Sequence, residues 1–84
     1  MPYAWQSVIR TVIYVIQFSD DPTQSQTVDH ALRTAVDKSD LGRDAYRDAI
    51  LSALASNELV SELIPQDHSE ETLRRFLELL LERL

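Results

Sequence analysis

Apolar residues recur at helical spacing in four stretches of the chain. In the first, Trp5, Val8, Ile9, Val12, Ile13 and Ile16 fall at i, i+3, i+4, i+7, i+8 and i+11, with Gln6, Arg10 and Gln17 on the other side. Val8, Ile9, Thr11, Val12, Ile13, Val15 and Ile16 are all β-branched, which suits a strand. Strict alternation, however, would put Arg10 on the face of Val8 and Val12, so the pattern predicts an amphipathic helix over 4–18.

A break follows at Ser19-Asp20-Asp21-Pro22. Asp21, Pro22 and Gln24 resemble a helix start, with Thr27 as a second candidate cap, and Val28, Ala31, Leu32, Ala35 and Val36 form the stripe of a helix over 24–38. Ser39 or Asp40 is the expected cap of the next helix, over 43–56, whose stripe is Ala45, Tyr46, Ala49, Ile50, Ala53 and Leu54. Its alanines let a neighbouring helix approach closely. A short helical turn over 58–63 ends at Pro65, which lacks a backbone donor and restrains the residue before it.

The last helix is expected over 68–83. Asp67 with Glu70 three residues on reads as a capping box, and Glu70 and Glu71 lie at the positive end of the helix dipole. Glu70 with Arg74 and Glu71 with Arg75 are favourably ordered i, i+4 pairs, worth about 0.3–0.5 kcal/mol each. Leu73, Phe76, Leu77, Leu80 and Leu84 share a band about 100° wide, Leu81 lies on its flank and Leu79 outside it. The pattern therefore predicts an all-α fold: a small antiparallel bundle of four main helices plus one short helix, as a single domain over 1–84.

Composition supports a folded chain. Of 84 residues, 44% are hydrophobic and 26% charged, close to the globular average, and there is no cysteine to staple so small a core or to hold a thiolate-bound metal. Either the helices pack unusually well or association supplies the missing burial. Eight Lys and Arg stand against 14 Asp and Glu, for a net charge of −6, which opposes nonspecific nucleic-acid binding; no basic arm is visible. No apolar run approaches the roughly 20 residues of a membrane span. The most apolar stretch near the N-terminus is Val12 to Ile16, after Arg10, whereas a secretory signal puts its positive charge ahead of ~7–15 apolar residues and ends in small residues, so the expected location is the cytoplasm.

Candidate chemistry is sparse. Asp29-His30 and Asp67-His68 look like acid and base pairs, yet adjacent helical residues point about 100° apart, and the residues four beyond each histidine are Thr34 and Thr72 rather than metal ligands. Both histidines therefore read as solvated helix ends. The stretch from Asp37 to Asp48 has the length of a calcium loop with Gly42 at position 6, but Leu41 replaces an oxygen ligand and Asp48 the closing Glu. One glycine in the whole chain makes no phosphate loop. A helix-turn-helix reading fails because Glu58 and Glu62 stand where base-reading side chains are wanted. No catalytic residue, cofactor or metal ligand is assigned.

Excess apolar surface remains. Tyr14 falls about 180° and Phe18 about 220° from Trp5, outside the core stripe of the first helix, as Leu79 is on the last. Tyr14, Phe18, Leu79 and Leu81 are accordingly the candidate interface residues. The expected function is a non-enzymatic protein-protein interaction module of the adaptor, inhibitor or self-associating kind. Its expected associations are a homodimer through the shared patch and a partner with a basic surface, steered by the net charge. The alternative is a small-ligand binder or enzyme with a pocket between helices or at a dimer interface, walled by Tyr46, His30 or Trp5.

Overall fold

A computed structural model of the chain describes residues 4–84. Four α-helices follow in order: α1 Trp5–Ile16, α2 Ser25–Ala31, α3 Arg43–Ala55 and α4 Glu70–Glu82. α2 runs directly into a π-helical turn, Leu32–Val36, and a 3₁₀ turn, Val60–Glu62, stands between α3 and α4. No strand occurs among the described residues, so the protein is a small all-α bundle.

The β-branched first segment is helical because packing outweighs propensity. Each such residue costs a helix roughly 0.5 kcal/mol relative to alanine, whereas burying a Val or Ile side chain is worth about 1.5–3 kcal/mol. Val8, Ile9, Val12, Ile13 and Ile16 are all buried. α1 lies chiefly against α3, two of whose alanines, Ala49 and Ala53, are buried, and also meets the π turn and α2. α4 spans α3, α2 and the 3₁₀ turn, and Tyr46, Ile50, Leu73, Phe76 and Leu77 fill the space between.

This three-sided setting gives Leu79, which falls outside the main band of α4, and Leu81 on its flank a place against the core. Both are partly buried against the core, as is Leu84, because a helix with neighbours on several sides buries more than a 100° band.

The helix ends also depart from expectation. α2 starts at Ser25 with neither Asp21 nor Thr27 as its cap; Asp21 instead accepts hydrogen bonds from the Thr23 N–H and hydroxyl, closing a turn over the buried Pro22. α3 is preceded by Gly42 at φ 83°, ψ 167°, while the Ser39 hydroxyl accepts from the Leu41 N–H within the connection. α4 is capped by Ser69, whose Oγ accepts from the Thr72 N–H at 3.1 Å, not by Asp67.

Glu70 is thereby released to cap a different element. Its carboxylate accepts from the N–H groups of Val60 and Ser61 at 3.1 and 2.8 Å, at the start of the 3₁₀ turn. The pairing of Glu70 with Arg74 forms at 2.7 Å, whereas Arg75 turns to Glu78 rather than Glu71. Gln66 holds the remaining connection, donating to the carbonyls of Ser61 and His68 and accepting from the His68 N–H.

Candidate functional site

α1 carries a second stripe besides the one it buries. Thr11, Tyr14, Val15 and Phe18 recur at i, i+3, i+4 and i+7, and the last of them lies just past the end of the helix. Tyr14 is 67% exposed and Phe18 91% exposed, the two most exposed large apolar residues among those described. The π turn runs beside this stripe, and between them lies a cleft of about 360 Å³ lined by Thr11, Tyr14, Val15, Thr34, Lys38 and Leu41. Leu41, 42% exposed, closes one end of the apolar surface.

Tyr46 rises from α3 with its ring buried, and its hydroxyl donates to the Ala35 carbonyl at 3.2 Å. At a π turn the amide of residue i+5 rather than i+4 closes the ring, here Asp37 N–H to Leu32 carbonyl at 2.9 Å, and the helix is locally wider. The Ala35 carbonyl, close to the end of the helix, finds its partner in the tyrosine. Such single wide turns occur frequently at functional sites.

The cleft lining holds one charged side chain, Lys38. Five of the eight cations are paired: Arg43 with Asp37, Arg47 with Asp44, Arg74 with Glu70, Arg75 with Glu78 and Arg83 with Asp29. Arg10, Arg33 and Lys38 form no ion pair among the described residues. Lys38 lines the cleft, Arg10 precedes the lining residue Thr11, and Arg33 precedes Thr34. Asp37 is engaged by Arg43, so Asp40 is the one unpaired carboxylate adjacent in sequence to the lining.

Of the four candidate interface residues, Tyr14 lies in the cleft and Phe18, past the end of α1, lines a second hollow, whereas Leu79 and Leu81 pack on the core from α4 and take no part in lining the cleft. Lys38, Leu41 and the π turn escaped sequence reasoning. The signal that points to them is the second i, i+3, i+4, i+7 stripe, which demands a neighbour of its own.

This second hollow, also about 360 Å³, is walled by Phe18 together with Gln17, Ser19, Asp20, Asp67 and His68. His68 is not a solvated helix end: it is half-buried, with Nε2 3.2 Å from the Ile16 carbonyl, joining the end of α1 to the approach to α4. His30 is exposed. Asp21 is held below the ordinary carboxylate range by the hydroxyl and then the N–H of Thr23, with His68 adding a smaller attraction. No group of three or more metal-ligating side chains occurs among the described residues. Of the three walls imagined for a ligand pocket, Tyr46 alone lines the cleft.

No helix among the described residues is long and apolar enough to cross a membrane. Comparison with known protein families, with curated proteins and with solved structures yields no match to this chain.

Proposed function

We propose that the protein is a non-enzymatic interaction module that docks a protein partner on the outer face of α1. The observation that carries this reading is the continuous second stripe, where Tyr14 and Phe18 are left largely exposed beside a cleft that Leu41 extends. Single exposed apolar residues are ordinary, but an aromatic pair aligned along one helix beside a groove has the make-up of an interface anchor. The polar groups of the cleft are partly spent: the Tyr46 hydroxyl is held by Ala35, and the Thr11 hydroxyl donates to the Ser7 carbonyl. That leaves a surface suited to contact rather than to moving protons.

A photo-crosslinking phenylalanine analogue placed at position 14, and separately at position 51, tests the reading in the native host. Leu51 is exposed on α3 and absent from the cleft lining. A discrete adduct from position 14 that is missing from position 51 supports the module, and its mass separates a second copy of the chain from a foreign protein. Equal labelling from both positions overturns it.

A further inference from the structure

We propose that the occupant of the α1 cleft is a second copy of this chain, with Phe18 of each copy seated in the cleft of the other; this rests on the docking reading above and names its partner. Shape is the first argument. A two-fold interface must carry both halves of every contact on one surface, because residue i meets j and j meets i. The outer face of α1 carries both: Phe18 stands almost fully exposed past the end of the helix, and one turn back Tyr14 and Val15 of the same stripe wall the cleft. The cleft measures about 360 Å³, against the ~150 Å³ that holds a benzene ring. A phenylalanine ring therefore fits, with Tyr14, Val15 and Leu41 as its apolar contacts.

Charge is the second argument. The one charged side chain in the cleft lining is Lys38, whereas Phe18 shares its own hollow with two carboxylates, Asp20 and Asp67. All three are exposed and form no ion pair among the described residues. Seating Phe18 in the other copy's cleft carries Asp20 and Asp67 toward that copy's Lys38, and the two-fold axis repeats the pairing on the other side. Each copy has a net charge of −6, but salt screens that repulsion beyond about 8–10 Å and the groups at the contact decide.

Area is the third. From their exposures, Phe18, Tyr14 and Leu41 offer roughly 400 Å² of surface per copy. A standard interface takes about 800 Å² from each partner, of which about 56–65% is apolar. The stripe thus supplies most of the apolar part of one dimer interface, and the Lys38, Asp20 and Asp67 side chains fall at its polar rim.

The test is sedimentation equilibrium of the full chain from about 1 μM to about 1 mM, over which it is expected to pass from monomer to dimer. Phe18→Asp is expected to abolish the dimer. Lys38→Glu, and separately Asp20→Lys with Asp67→Lys, are each expected to weaken it at least about tenfold by setting like charges opposite. All these positions are exposed, and helicity is checked for each variant. In an equimolar mixture of the two charge variants one pairing is native and the other has its signs exchanged, so a mixed dimer of about wild-type affinity is expected. A wild type that stays monomeric throughout overturns the second copy; an adduct from position 14 to a foreign protein then leaves the docking reading standing, and the lack of any adduct removes that as well. A dimer that survives Phe18→Asp overturns the cleft as its seat. A dimer that needs Phe18 but is indifferent to the charge variants, or is not rescued by mixing them, overturns the reciprocal seating.

Discussion

The Arg74 guanidinium, bonded through Nε to the Glu70 carboxylate at 2.7 Å, turns its other two nitrogens to the main-chain carbonyls of Ala53, Leu54, Ser56 and Glu58 at 2.9–3.3 Å. These carbonyls lie at the C-terminal end of α3 and just beyond it, where helices leave acceptors without intrahelical partners. Glu70, held by the same pair, caps the 3₁₀ turn. Two side chains one turn apart on α4 thus close the ends of two other elements.

Replacing Arg74 by Ala is expected to cost about 2–3 kcal/mol. An exposed ion pair is worth less than about 1 kcal/mol, but this one is only a quarter exposed and its loss strands several main-chain acceptors. Arg74→Lys keeps the charge without the planar fork and should recover less than half of the loss. Urea unfolding of the two variants checks this; equal stabilities for Lys and Arg would mean that charge alone matters.

The same pair sets an acid limit. Burial would raise the Glu70 carboxyl, but the N–H groups of Ser61 and Val60, then Arg74 and the Ser61 hydroxyl, outweigh it and hold the group below its ordinary value. Its folded value thus lies below its unfolded one, so its contribution is complete above about pH 4.3 and is lost as pH falls through the folded value. The stability gap between the wild type and Glu70→Gln should accordingly stay constant from about pH 7 to 5 and shrink below about pH 4. A gap that persists unchanged in acid would assign it to packing.

How much of this was legible depends on what a linear pattern contains. The buried stripes of α1, α3 and α4 follow from spacing alone, because a helix shows its neighbours one face, and Tyr14 and Phe18 stand out for the same reason. The Glu70–Arg74 pair is also visible as an i, i+4 spacing, but as a few tenths of a kcal/mol. Its larger role depends on where the C-terminal end of α3 falls in space, and no local spacing carries that. The partial burial of Leu79 is of the same kind: whether a residue beside the main band is covered depends on how many helices surround α4. The choice of Ser69 over Asp67 as cap turns on a shift of two residues, finer than periodicity resolves.

Gly42 offers a cleaner backbone test. At φ 83° and ψ 167° it occupies a region nearly closed to L-residues, and a Cβ placed there would meet nothing within 4 Å. Any loss in Gly42→Ala is therefore conformational, about 1–3 kcal/mol. Thermal melting reads it directly. A synthetic chain with D-alanine at this position, which favours positive φ, should melt close to the wild type, and a D-alanine chain as unstable as the L-alanine one would remove backbone strain as the cause.

The final prediction concerns the cleft floor. Tyr46→Phe keeps the buried ring and removes only the hydroxyl that donates to the Ala35 carbonyl at 3.2 Å. A buried acceptor left without its donor costs about 1–3 kcal/mol, but Ala35 lines the cleft and water entering there can replace the lost donor in part, so a loss near 1 kcal/mol is expected. The more specific consequence is local. The π turn is closed by the Asp37 N–H on the Leu32 carbonyl and followed by the Ser39 N–H on the Val36 carbonyl. If the tyrosine steadies this wide turn, the amides of Asp37 and Ser39 should exchange with solvent faster in the variant by more than the global loss of stability explains, while those of α4 should follow the global change alone. Uniform acceleration throughout the chain would make Tyr46 a core residue like any other and leave the π turn to be held by its own hydrogen bonds.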